Sequence, residues 1–165
     1  MIQLITKADL PDYTKFSANT ADLLINPAIR DAHTFDVLPH LSEVEQANLV
    51  GYRVLTADER PQHPAHKLYT EAVRPLLCYE TYRRLLLDHG IHVTPRGVEI
   101  IAGEGTPISG QQRTEMRADA AAKCSHYQAV LASALRAYRG TTTSATCGTN
   151  RNRRPSSGGL RTRAI

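Results

Sequence analysis

QQRTEMRADAAAKCSHYQAVLASALRAYR (residues 111–139) carries the strongest periodicity in the chain. Met116, Ala120, Cys124, Tyr127, Leu131, Leu135 and Tyr138 step by three or four throughout, the spacing that lines up one face of an α-helix. Arg113, Glu115, Arg117, Asp119, Lys123 and Arg136 fall mostly elsewhere. At about 1.5 Å per residue this helix is roughly 40 Å long, and Gly140 is its expected end.

A long helix with one apolar face needs a partner, and residues 65–89 supply it. Leu68, Ala72, Leu76, Tyr79, Arg83 and Leu86 fall near one face, and Val73, Leu77 and Leu87 widen it. So broad an apolar surface predicts burial from two sides. Pro75 lies inside the stretch, where it removes a backbone bond and clashes with the preceding turn, so a kink is expected there. Gly90 terminates the helix.

Toward the N-terminus the signals shorten. Thr6 caps a brief helix at Lys7–Leu10 that ends near Pro11, and Thr20 caps a turn around Ala21–Ile25. Asn26-Pro27 reads as a helix start, because proline is tolerated at the first helical position. Ile29, Ala32, Phe35 and Leu38 form its apolar face, and Pro39 ends or bends it. Ser42 with Glu45 reads as the capping box of a further helix over 42–56, with Val44, Ala47, Leu49 and Val50 on its apolar side. ADERPQHPAH (57–66) is a linker.

Between the two long helices the period changes. Ile91 and Val93, then Val98 and Ile100, alternate around Thr94-Pro95-Arg96-Gly97, which predicts a small β-hairpin. AGEGTPISG (102–110) is a Gly-rich loop. The fold expected is mainly α: a helical bundle with a small β-hairpin insert and an extended C-terminal arm. Residues 1–140 form the helical domain and 141–165 the basic arm.

Composition supports one domain. A chain of 165 residues, 41% hydrophobic and 22% charged, can bury a real core. No apolar run is long enough for a membrane helix, and no secretory signal is expected at the N-terminus. Cys78, Cys124 and Cys147 are odd in number and far apart, so no disulfide framework is expected, and a reducing compartment fits. The net charge of +4 is unevenly placed. Residues 141–165 hold five arginines and no acid, which leaves 15 basic against 16 acidic side chains in residues 1–140. All seven tyrosines and both phenylalanines lie before residue 140.

The sequence carries no catalytic or cofactor pattern that stands out. GEGTPISG lacks the following lysine and hydroxyl of a phosphate loop and reads as a plain loop. His63 with His66 sits in the linker, and His89 with His92 brackets Gly90; neither joins a metal-ligand cluster. Cys78 and Cys124 read as core packing. No nucleophile–base set is spaced in a supportable way. The expectation is therefore no enzyme, no metal and no cofactor. The arginine arm suits either a protein groove or nucleic-acid phosphates. It has no aromatic residue to stack a base, and Leu160 and Ile165 favour the protein groove.

Four stretches in order resemble the head–tail connector (adaptor) proteins of tailed bacteriophages. They are LITKADLPDY (4–13), INPAIRDAHTFDVLPHL (25–41), VRPLLCYETYRRLLLDHGIHVTPRGVEI (73–100), and the long helix followed by a tail ending GGLRTRAI (158–165). Residues 42–66 are more polar than the corresponding part of that family. The resemblance implies a structural virion protein at the head–tail junction, made in the host cytoplasm. It implies a homo-oligomeric, dodecameric ring beneath the portal protein, with tail or stopper proteins as further partners and genomic DNA passing through the lumen. On that reading Arg151, Arg153, Arg154, Leu160, Arg161, Arg163 and Ile165 form an arm docking on the portal or a neighbour. Arg96, Glu99, Glu104 and Pro107 of the hairpin and loop contact an adjacent subunit. The competing expectation is a small helical DNA-associated protein that binds phosphates through its arginine tail.

Overall fold

The structure is a computed structural model that describes residues 3–14, 21–88, 91–94, 97–100 and 110–146. It is mainly helical. A 3-10 turn at Lys7–Asp12 leads to α1 (Asp22–Asp31), α2 (Glu43–Val54) and α3 (Arg74–Asp88), then to strands β1 (Ile91–Thr94) and β2 (Gly97–Ile100), and finally to α4 (Gly110–Thr146). The strands pair antiparallel, with Ile91 opposite Ile100 and Thr94 opposite Gly97. Among the described residues no helix is long and apolar enough to cross a membrane.

The core forms around α3. Leu76, Leu77, Cys78, Leu85 and Leu86 are all buried. α4 packs along one side of α3 and α1 along another, which is the two-sided burial the broad apolar surface requires. From α4 come Ala120, Cys124, Leu131 and Leu135, all buried and all on the stripe read from the sequence. Leu87, expected on the apolar surface, is an exception at 50% exposure.

Two π-helical turns account for most departures from the expected periodicity. One spans Ala32–Val37 and the other Leu68–Val73. Each ends two residues before a proline, Pro39 and Pro75. Widening the turn to a five-residue hydrogen bond (Leu38 N–H to the His33 carbonyl, Arg74 N–H to the Tyr69 carbonyl) leaves room for a ring that would strike a regular helix. The expected bend near Pro75 thus takes the form of a π turn leading into α3. The first π turn also shifts the helical phase. His33 and Val37 turn inward, while Phe35, expected on the apolar face, is 65% exposed and lies against the Arg84 guanidinium at 5.6 Å.

Helix boundaries shift as well. Asn26-Pro27 is not a start: α1 begins at Asp22 with Ala21 as its cap and carries Pro27 inside, so the turn and the helix start expected there lie in one helix. The first turn passes through Pro11 as a 3-10 helix to Asp12. α4 does not stop at Gly140 but continues to Thr146, so residues 141–146 are helical and not the beginning of an arm.

The capping box at α2 forms as read. The Glu45 carboxylate accepts from Ser42 N–H at 2.8 Å, and the Ser42 hydroxyl accepts from Glu45 N–H at 3.4 Å. Val44 and Ala47, expected on the apolar side, are exposed; Leu49 and Tyr52 are the buried residues. Glu45 itself is 4% exposed because Arg139 of α4 donates to both its oxygens, at 2.7 and 3.0 Å. Two further arginines act alike. Arg84 donates to both oxygens of Asp36 at 2.8 and 3.0 Å, and Arg74 bridges Asp9 and Asp12 at 2.9 and 2.6 Å. Such two-point contacts fix orientation as well as distance. They tie the N-terminal turn and the first π turn to α3, and α2 to α4.

The Arg139 guanidinium and the Ser42 bonds hold the Glu45 carboxyl at about 2, against an ordinary 4.5. A pKa lowered by folding stabilises the native state above the unfolded value, and that stabilisation is lost as pH falls through the native one. Thermal stability should therefore decline between about pH 4.5 and pH 2. Asp9, also lowered, contributes in the same direction. Glu45→Gln should lower stability at neutral pH and flatten part of the acid decline, read by thermal melts across that range. A variant with the wild-type acid profile would show that the pair contributes nothing.

Candidate functional site

The site expectations fall mostly outside the described residues. Arg151, Arg153, Arg154, Leu160, Arg161, Arg163 and Ile165 lie there, as do Arg96, Glu104 and Pro107. Glu99 is placed in β2, paired with His92.

Within the described residues a cleft of about 620 Å³ lies where the N-terminal turn, α3 and α4 meet. Three separate stretches build it. The capped start of the 3-10 turn, where Thr6 N–H donates to Asp9 at 2.7 Å, and the Arg74 bridge together set Asp12 and Tyr13 against α3. α3 contributes Tyr79 and Tyr82, three residues apart and so on one side of the helix. α4 contributes Glu115, Met116, Asp119, Ala120 and Lys123 by the same helical spacing.

Aromatic rings order the cleft. Tyr79 stacks on Tyr127 with ring centres 5.3 Å apart, and Tyr13 meets Tyr79 edge-on at 6.5 Å. The Arg74 guanidinium lies over Tyr13 at 5.3 Å and the Lys123 ammonium over Tyr79 at 5.4 Å. Lys123 also donates to Asp119 at 2.8 Å. Ala120 and Tyr82 are buried, whereas the Asp119 and Asp12 side chains are 62% and 57% exposed. The cleft therefore has an apolar, aromatic interior and a carboxylate margin. Among the described residues, Arg74 pairs with Asp9 and Asp12 and Lys123 with Asp119, while Glu115 accepts from Gln111 at 3.0 Å, so the described carboxylates at and beside the margin outnumber their pairing cations.

Burial pushes the Tyr82 phenol up to about 12, and raises those of Tyr13 and Tyr79 as well. All three are neutral hydroxyls near pH 7, available as hydrogen-bond donors and as ring faces. This combination of aromatic faces and carboxylates suits a cation. No sequence motif marks the cleft. The Tyr79/Tyr82 spacing and the Asp9/Asp12 pair were the available signals, and each reads equally well as ordinary core or surface.

The buried thiols Cys78 and Cys124 are both pushed up to about 12 by desolvation. As thiols rather than thiolates they are poor nucleophiles. Both should react with a disulfide reagent only on unfolding, seen as slow labelling in buffer and fast labelling in urea; fast native labelling of either would contradict its burial. Among the described residues no group of three His, Cys, Asp or Glu side chains is placed to hold a metal ion.

A model described as a family of unknown function (DUF6712) matches residues 33–153, from the first π turn to beyond the end of α4. Comparison with curated proteins and with solved structures gives no match.

Proposed function

We propose that this chain, which belongs to the DUF6712 family of unknown function, is a structural subunit that assembles with its own copies into a ring, the head–tail connector of a tailed bacteriophage. Membership of the family brings no activity with it, so the support is physical.

The observation that carries the reading is the outward side of α4. This helix has 37 residues, about 55 Å at ~1.5 Å per residue, against 15 residues in α3, its main partner. Its inward stripe is buried as described. Of its charged side chains, Arg113, Arg117 and Lys123 sit near that stripe, half-covered, while Glu115, Asp119, Arg136 and Arg139 are exposed. The opposite side carries Thr114, Ala118, Ala121, Ala122, Ser125, Ala129, Ala132 and Ser133, exposed alanine, serine and threonine, with the exposed Arg136 as a charged residue at its C-terminal end. A solvated helix face ordinarily carries charged residues. A face of small residues lets another helix approach closely, because the interaxial distance depends on the side chains at the contact.

In a ring each subunit presents this face to a different surface of its neighbour, a head-to-tail contact that closes when its rotation permits. The hairpin β1–β2 and the loop after it, with Arg96, Glu99, Glu104 and Pro107, would meet an adjacent subunit. The arm with Arg151, Arg153, Arg154, Leu160, Arg161, Arg163 and Ile165 would reach the portal protein or a neighbour. Tail or stopper proteins would take the other side of the ring, and DNA its lumen. The role is structural, needs no cofactor, and places the protein in the virion.

The second reading, a small DNA-associated helical protein, rests on the five arginines and absent acids of residues 141–165. Size-exclusion with light scattering at low and high salt, with and without duplex DNA, separates the two. A defined oligomer supports the connector. A monomer that retains DNA at low salt and releases it at high salt supports the alternative.

A further inference from the structure

We infer that the aromatic cleft between the N-terminal turn, α3 and α4 is the receptor for the arginines at 151–154 of a second copy of this chain. The inference rests on the ring reading above and names a contact that would hold neighbours together.

Three observations converge on it. The first is charge. The cleft margin carries Asp12, Glu115 and Asp119, and the carboxylates around it outnumber the cations that pair them. The same chain carries its entire excess of positive charge in residues 141–165, as arginine alone. Complementary charges of this kind speed encounter and set register.

The second is shape and chemistry. A guanidinium is planar, stacks on aromatic faces and forms two-point bonds to carboxylates. The cleft offers the Tyr13 ring, which Arg74 already lies over at 5.3 Å, and the Tyr82 hydroxyl beside Asp12, Glu115 and Asp119 in about 620 Å³, while Tyr79 is engaged by Tyr127 and Lys123. The chain already uses this pairing in the same place, where Arg74 lies over Tyr13 at 5.3 Å while bound to Asp12 at 2.6 Å.

The third is reach. Thr146, the end of α4, lies 27 residues beyond Asp119 and 31 beyond Glu115, or about 40 and 46 Å along the helix at ~1.5 Å per residue. Arg154 is eight residues past Thr146, and a fully extended chain covers at most about 29 Å at ~3.6 Å per residue. Arg151, Arg153 and Arg154 therefore fall short of Asp119 and Glu115 in their own chain, but can meet those of a neighbour offset along α4; Arg161 and Arg163, farther along the arm, are not limited in this way.

The test uses the full-length protein carrying Arg151→Glu, Arg153→Glu and Arg154→Glu, titrated with a fluorescent synthetic peptide of residues 147–165. Expected is saturable binding that weakens with salt, and at least about ten-fold weaker binding when Glu115→Arg and Asp119→Arg are added. Both positions are exposed, so folding should survive; if circular dichroism shows otherwise, Glu115→Gln with Asp119→Asn is the replacement and should also weaken binding. In the whole chain, reversing the arginines or the two acids should each reduce self-association, and combining all five reversals should restore it. Absent peptide binding, or binding indifferent to the acid substitutions, overturns the assignment. Binding that emerges only with Phe16→Ala also overturns it, because the chain's own residues 15–20 would then be the occupant. Peptide binding at the cleft by a protein that stays monomeric at every concentration would overturn the ring while retaining the cleft as receptor for this segment.

Discussion

Leu131→Ala should destabilise the protein by about 2–5 kcal/mol, the range for a buried leucine truncated in a packed core. Leu131 is 1% exposed and sits on the inward stripe of α4, with Leu135 one turn and Cys124 two turns away. Removing its three outer carbons forfeits their transfer from water and leaves a cavity that neighbours on two helices cannot fill without moving. Ala132→Leu, one position away on the exposed side, should change stability by less than about 0.5 kcal/mol, as surface substitutions usually do. Urea titration of both variants checks the register of α4 directly. A loss below about 1 kcal/mol for Leu131→Ala would mean that the inward stripe is misplaced.

The second large effect concerns assembly. Ala122→Arg with Ala129→Arg places two charges on the small-residue side of α4, both at exposed positions. Neither residue touches the core, so helical content and unfolding midpoint should match the parent. If a neighbouring helix seats on this face, two buried unpaired charges per interface should weaken association by at least about a hundred-fold, equivalent to ~3 kcal/mol. Sedimentation velocity across a concentration series reads the outcome. Assembly unchanged by the two arginines would assign the contact to another surface.

The parts of the fold legible in the sequence are those governed by local spacing. The stripe Ala120–Cys124–Leu131–Leu135 is buried because a three-and-four step needs no information from elsewhere in the chain. The Ser42/Glu45 capping box is equally local. What spacing cannot reveal is the partner at long range. Glu45 reads as a cap, yet its burial depends on Arg139, 94 residues away. Arg74 carries no local signal, yet it joins the N-terminal turn to α3 across 65 residues.

The exposure of Phe35 has a different cause. A π turn shifts every later side chain around the helix axis, and a period of 3.6 has no means of registering it. The two prolines were the visible warning, since each follows a widened turn, but proline alone does not distinguish a kink from a stop. The cleft was hidden because three distant stretches build it, each contributing tyrosines and acids that look unremarkable in isolation. The end of α4 shows the same limit at smaller scale. Gly140 has open space around it and a helix passes through, because glycine permits a helix to end without requiring it. A truncation meant to isolate the arm therefore belongs after Thr146, since one after Gly140 would remove helical residues as well.

The most direct test of the connector proposal is negative-stain electron microscopy of the purified full-length protein at high concentration. Expected are closed rings of one size with a lumen wide enough to pass duplex DNA, and their loss with the two arginines on α4. Monomers at every concentration, or open filaments in place of rings, would contradict a ring-forming role.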